Sequence, residues 1–446
     1  MISMEAARRP RLRWLVGAAA IALLAPACGG DDDEGSGGSS ADEEVTLVVN
    51  VFGGDGFGYD ELVKQYEQEN PNVTVEYNIV TDDYDNEYRP QLIQQLDAGS
   101  GAGDVVAIEE QGVGQMMAMS DAWVDLAEYG LDSRESDYPA WKWELGYTSD
   151  GTLAGLGTDV GGMAMCYRTD LFEQAGLPTD RDEVAAMWQD WDGFTATAQD
   201  FVDSGVDAAF VDSPNQIYNI RLVQEAGNGD GTSYFDEEDN YVLGDSPAVQ
   251  TAFDYVLELN DMGAIGPFQN WTDEWNVGME AGGFATMGCP AWMAGVIEST
   301  SGKQNAGNWD MAPVPGTSGN WGGSWLAVPA QSEHPEEAAA LADFLTSPES
   351  QLAAYKAISV FPSAPEAQEN PAVANSTNPY FNDAPVGRII SDSITTFEPV
   401  FYGELHSAVR AAVEDVLYGV IEGTYAADEA WDAFVSAGQE VVDTSG

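Results

Sequence analysis

The stretch 45–77, VTLVVNVFGGDGFGYDELVKQYEQENPNVTVEY, decides the fold. Val45–Val51 is an apolar run of the kind a buried strand carries. A turn follows, Gly53-Gly54-Asp55-Gly56, and after it Leu62, Val63 and Tyr66 fall on one helical face. Asn70-Pro71 closes that helix, because the residue before a proline is pushed out of the α region. Val73–Ile79 then reads as a second strand. Further out, Tyr88, Leu92, Ile93 and Leu96 give a second amphipathic helix ending near Gly99, and 105–108 is a third short strand. The β-α-β-α-β order predicts an α/β fold with a mainly parallel sheet covered by helices.

The far end of the chain has the same character. Leu405, Val409, Val413, Val416, Leu417 and Val420 form a long helical stripe, and Trp431, Phe434 and Val435 form another. A further helix, 336–345, starts after His334-Pro335. These are core faces rather than cofactor boxes. The sequence has no internal repeat.

Composition narrows the function. The chain has 446 residues, 76 Asp and Glu against 15 Lys and Arg, two His and a net charge of −61. A surface this acidic opposes a phosphate backbone, so nucleic acid is not a partner. Yet 44% hydrophobic and 11% aromatic residues are too many for a disordered acidic chain. Two histidines argue against a His-rich metal site, and the acidic runs at 82–87 and 236–239 lack the glycine spacing of a calcium loop. No cofactor motif is present.

Residues 1–27 read as a signal peptide. Arg8, Arg9, Arg11 and Arg13 precede a short apolar run from Trp14 to Leu24, and Ala25, Pro26 and Ala27 lead into Cys28. That run is shorter than a membrane span needs, ~20 residues. Residues 28–44 are an acidic Gly/Ser tether. Removing 1–27 takes away four arginines and Glu5, leaving 11 basic and 75 acidic residues and a net charge of −64. Such acidity suits a salty habitat, where cations screen carboxylate repulsion.

The order of segments resembles the family 1 extracellular solute-binding proteins of ABC importers, the maltose-binding protein among them. The resemblance begins with the stretch quoted first and continues in LIQQLDAGSGAGDVVAIEE (92–110) and GLGTDVGGMAMCYRTDLFEQAGL (155–177). It runs on through GMEAGGFATMGCPAWMAGV (278–296), PVPGTSGNWGGSWLAVP (313–329) and HSAVRAAVEDVL (406–417). Ala27-Cys28 resembles a lipobox, which implies lipid on Cys28 and export by the general or the twin-arginine route. The family implies a periplasmic-binding-protein-like fold: two α/β lobes, a hinge and an interlobe cleft. Transferred here, lobe 1 is 45–159 plus 293–348 and lobe 2 is 165–287 plus 354–446. The chain crosses at 160–166, at 286–292 and again near 350.

Within that frame the candidate ligand residues stand at carboxyl ends of strands, where open α/β sheets gather their loops. Asp55 sits in the first glycine turn and matches a binding Asp of the maltose branch. Glu110 and Gln111 end the third strand, with Glu109 pointing away if the strand continues. Asp159 precedes the first crossover, where relatives carry an acidic residue facing the cleft. Aromatic plates suit the apolar faces of sugar rings, and the chain has 13 tryptophans. Trp292 matches an aromatic platform of the maltose branch, and Trp321 lies in a loop where it can stack. Trp271 and Trp275 are at helical spacing, and Trp275 is the one taken for the cleft. Trp325 heads an apolar strand and reads as core. Tyr402 and His406 stand one turn apart, where relatives present an aromatic. Cys166 and Cys289 fall on the implied crossover strands, which should pair antiparallel; the pair is expected as a disulfide, against a reading as two buried thiols.

The implied function is capture of a sugar or oligosaccharide by a lipid-anchored monomer on the outer face of the cell membrane, for delivery to permease subunits, without catalysis. An exported glycoside hydrolase and a surface adhesin or sensor are the competing readings. Few basic residues make a strongly anionic ligand the less favoured cargo.

Overall fold

The computed structural model describes residues 44–445 apart from 55, 317 and 318. The expected signal peptide, tether and lipidated Cys28 lie outside the described residues, as does Asp55.

Among the described residues nine strands form two sheets. The first contains β1 (Val45–Val51), β2 (Val73–Ile79), β3 (Val105–Glu109), β4 (Gly155–Gly157) and β9 (Ser324–Ala327), in the order β2-β1-β3-β9-β4. β1 pairs parallel with β2 and β3, as the β-α-β order requires, while β9 runs antiparallel between β3 and β4. The sheet is therefore mixed rather than mainly parallel, because β9 arrives from the other sheet instead of through a crossover helix. The second sheet holds β5 (Met163–Arg168), β6 (Ala209–Val211), β7 (Phe284–Pro290) and β8 (Trp309–Pro313), in the order β6-β7-β5-β8.

Alternation along β1 buries Leu47, Val49 and Val51 completely against the helix Asp60–Glu69, whose buried residues are Leu62, Val63 and Tyr66. The other face of this sheet covers Tyr88, Leu92 and Leu96 together with Trp325. The second sheet has its own two layers. On one side Met165 and Tyr167 pack with the helix His406–Ile421 through Val409, Val413, Val416 and Leu417. On the other, Cys166, Met287 and Cys289 pack with the helices Asp273–Ala281, Met293–Ser301 and Val386–Thr395. Two α/β lobes, each with its own sheet and core, are the result. Among the described residues no helix is long and apolar enough to cross a membrane.

The lobe boundaries differ from the implied ones at 286–292 and at 293–313. β8 pairs with β5 from Ala164↔Pro313 to Arg168↔Trp309, so residues 293–313 stand with the second sheet and not in lobe 1. The chain passes between sheets at 158–162, between β4 and β5, and at 314–323, between β8 and β9. The stretch 286–292 stays within the second lobe. A third passage follows the helix Pro348–Ile358, where Val160 N–H donates to the Phe361 carbonyl at 2.9 Å beside the first crossing. β5 and β7 are antiparallel, Ala164↔Cys289 and Cys166↔Met287, and the Cys166 and Cys289 sulfurs are bonded with their Cα atoms 5.4 Å apart.

Candidate functional site: a cavity between the two sheets

β3 stops at Glu109, and a tight turn, Glu110–Gly112, breaks the strand alternation. Glu110 and Gln111 therefore both turn toward the second lobe. They line a small cavity with Asn320 and Trp321 from the crossing that precedes β9 and with Tyr402, His406 and Arg410 from the second lobe. Asn219, Ser233 and Met163 complete its mixed polar and apolar wall.

The lobes touch around this cavity. Ser407 Oγ donates to the Gln111 carbonyl at 2.5 Å, and Arg410 Nη2 is 3.1 Å from Asp85 Oδ2, on the turn before the helix Arg89–Asp97. Asp85 also holds Arg89 at 3.2 Å, and Arg410 reaches Glu414 at 3.7 Å. His406 meets the Tyr402 ring edge-on at 4.8 Å. Burial, with Arg410 one turn on, pulls the His406 imidazole down to about 3, so it is neutral.

Glu110 is the most consequential of these groups. It is 1% exposed; its Oε2 accepts the Gly322 N–H at 2.7 Å, and its Oε1 is buried with no hydrogen-bond partner. Burial raises its pKa, while Lys142, Asn320, the Gly322 N–H and Tyr402 oppose the rise. Glu109, expected to face away, turns its carboxyl in and accepts the Gln111 N–H at 2.9 Å; burial, Asp85 and Glu110 lift it to about 8, with Arg410 opposing.

Tryptophans form a second zone at the rim. Trp292 Nε1 donates to the Trp321 carbonyl at 2.9 Å, and its ring stacks on Trp271 at 5.9 Å and 24°. Trp271 is 63% exposed and has φ +68°, a conformation bulky residues rarely hold. Its neighbour Asn270 explains why it is held. Asn270 Nδ2 donates to Asp212 Oδ2 at 2.9 Å, and its Oδ1 accepts from Ser213 Oγ at 2.9 Å and from Tyr418 OH at 3.2 Å.

Of the expected residues, Glu110, Gln111, Trp321, Tyr402 and His406 meet in the cavity, and Trp292 borders it. Trp275 is a correction: it is fully buried, and its indole N–H donates to Asp212 Oδ2 at 2.9 Å, so Trp271 is the accessible member of the pair. Asp159 lies elsewhere. Its Oδ1 accepts from Thr158 Oγ1 at 2.6 Å and the Ser324 N–H at 2.9 Å, and it lines a smaller hinge cavity with Tyr59 and Gln351. Sequence reasoning missed Arg410 and Lys142. Arg410 follows Tyr402 and His406 at a spacing of four, a signal that one more helical turn would have caught. Among the described residues no group of three or more His, Cys, Asp or Glu is placed to hold a metal ion.

A bilobed α/β molecule with a cavity of mixed polar and aromatic lining where its sheets meet is a solute-binding architecture. The chain belongs to the bacterial extracellular solute-binding protein family, whose model matches residues 61–381. A crystal structure of an extracellular solute-binding protein of family 1 superposes with TM-score 0.81 at 34% identity, over 89% of this chain and 99% of that one. The galacto-N-biose/lacto-N-biose I-binding protein of a Bifidobacterium longum ABC transporter, solved with lacto-N-biose, has TM-score 0.74 over 91% and 98% of the two chains; at 19% identity it speaks to the fold alone. An arabinooligosaccharide-binding protein of Halalkalibacterium halodurans is 24% identical over 297 residues. That match spans 62% of this chain and 62% of the relative's length.

Proposed function

We propose that this chain is the exported capture protein of an ABC importer, a monomer leashed to the outer face of the cell membrane through lipid on Cys28, which closes two lobes over a neutral saccharide and passes it to permease subunits. The observation that carries this reading is the cavity itself: the polar ends of Glu110 and Gln111 beside the rings of Trp321 and Tyr402. Sugar hydroxyls need such paired donors and acceptors, and the C–H faces of a pyranose need an aromatic plate. The stacked Trp271 and Trp292 extend the wall beyond the cavity, so a ligand of two or more rings fits better than one. Arg410 is already engaged by Asp85 and Glu414, which leaves little positive charge for an anionic ligand. Relatives bearing the names of arabinooligosaccharide- and lactose-binding proteins support the same class.

A thermal-shift panel of neutral mono-, di- and oligosaccharides at several salt concentrations tests the reading. At least one sugar raises the melting temperature and is recovered uncleaved, and Trp292→Ala lowers that rise. No response to any sugar, with a clear response to an amino acid or a metal ion, rejects it. A sugar returned cleaved favours a hydrolase instead.

A further inference from the structure

Against the Trp325 ring lies a buried lysine. Lys142, on the short helix Ala140–Glu144, is 1% exposed, and lysine is almost never fully buried unless paired. Its stem runs across β4 at Gly157, where an added Cβ would stand 3.0 Å from both Lys142 Cγ and Cε. The ammonium lies over the Trp325 ring, 3.2 Å from its centre, and the Trp325 indole donates to the Lys142 carbonyl at 3.0 Å. Nζ has no hydrogen-bond partner. A ring face attracts the cation but does not replace the charge partner that burial demands.

Sheet register brings the partners near. Trp325 pairs with Ile108 of β3 and Gly157 of β4, so Glu109 and Glu110 follow on one side of it and Asp159 on the other. All three carboxylates favour the charged lysine, Asp159 first, then Glu110 and Glu109, against the desolvation that lowers it. Asp159 and Glu109 already accept hydrogen bonds from their own loops. Glu110 differs, because it lines the ligand cavity and its Oε1 is unpartnered. The other groups facing Glu110 do not balance it. Tyr402 is neutral, its hydroxyl raised by burial; His406 is neutral by burial; Arg410 is paired to Asp85 and Glu414.

We propose that Lys142 is a positioning residue of the ligand cavity, supplying the counter-charge that keeps Glu110 a carboxylate with Oε1 free to accept a ligand hydroxyl. The cation acts through Glu110 and does not touch the ligand. The same carboxylate grips the hinge through the Gly322 N–H, so a ligand hydroxyl on Oε1 and the 314–323 crossing share one anchor. The functional half of this inference rests on the saccharide reading; the electrostatic half does not.

The chain has four lysines, which makes the electrostatic half readable without any ligand. Protein labelled with carbon-13 at lysine Cε is titrated by NMR, with the Lys142 signal assigned by its loss in Lys142→Met. In Glu110→Gln the Lys142 midpoint falls by about one pH unit or more, as loss of a close opposite charge requires. An unchanged midpoint overturns the inference. Should Lys142→Met fail to fold, the signal is assigned as the one of the four that resists surface acetylation. The functional half uses lactose and arabinotriose as probes. Lys142→Met binds either sugar about 10-fold or more weakly than wild type at pH 7 and recovers as pH rises, because a Glu110 without its counter-charge ionises later. In the Glu110→Gln background the same substitution adds no pH dependence. Equal affinities and equal pH profiles for wild type and Lys142→Met overturn the positioning role. A wild type that binds neither sugar, with the lysine coupling intact, overturns the saccharide reading while supporting the pairing.

Discussion

Gly114 offers the sharpest perturbation of lobe closure. It lies in the helix Val113–Ala118, on the first lobe, against the backbone that leads into the helix His406–Ile421. An added Cβ would overlap the Tyr402 carbonyl oxygen and stand 2.7 Å from that of Gly403, where ordinary contact begins at 3.4 Å. Gly114→Ala therefore cannot be absorbed by a side-chain turn; the two backbones must separate. Overpacking of this kind costs about 1–3 kcal/mol. Under the proposed closure, the cost falls on the form in which the lobes meet and residue 114 touches residue 402. In the separated form the change is neutral or favourable, since alanine is the better helix former by about 1 kcal/mol. Ligand affinity should then fall by a factor of about 5 to 150, at 1.4 kcal/mol per decade, while thermal stability without ligand holds or rises. Calorimetric titration with a saccharide from the panel, beside a melting curve of the free protein, reads both. Unaltered affinity refutes the closure geometry. A drop in stability as large as the drop in binding energy refutes the claim that the contact belongs to closure.

Three further outcomes follow from the same structure. Trp275→Phe removes the indole donor to the buried Asp212 and should destabilise by about 1–3 kcal/mol, whereas the exposed Trp271→Ala should stay within about 0.5 kcal/mol of wild type and lose saccharide affinity; a harmless Trp275→Phe would reverse the placement of the two rings. Burial raises the Asp212 carboxyl to about 7 from an ordinary 3.8, against the Trp275 and Asn270 hydrogen bonds that oppose it. The folded state then holds a proton the unfolded chain has released, so this residue's contribution, at most about 4 kcal/mol, is present at pH 4 and lost as pH rises to 7; Asp212→Asn should flatten the melting-temperature profile over that window, and equal slopes in both proteins would count against the assignment. Thiol counting in denaturant should find Cys166 and Cys289 unreactive until reductant is added, and two free thiols without reductant would end the disulfide.

Local pattern made some of this legible and long-range pairing hid the rest. The bounds of β1 and β2 and the buried face of Asp60–Glu69 follow from the period of apolar residues alone. The lobe membership of 293–313 does not, because WDMAP reads the same whether it pairs with β5 or with the first sheet. Trp271 and Trp275 share a helical spacing, but the helix begins at Asp273, so Trp271 precedes it in a left-handed turn that no periodicity announces. Glu109 points away only on the premise of a continuing strand, which the turn at Glu110 ends. Lys142 gave a composition cue, one cation between Trp141 and Trp143 in a chain poor in cations, yet its partners come from β3 and β9, remote in sequence.

A neutral saccharide held between the lobes by Glu110 and Trp321 is tested most directly by calorimetry with sugar recovery. Wild type should bind one neutral oligosaccharide at one site per chain and return it intact, with Glu110→Gln and Trp321→Ala each weakening binding by about tenfold or more while both variants melt as folded proteins. Binding that survives both substitutions unchanged would contradict it.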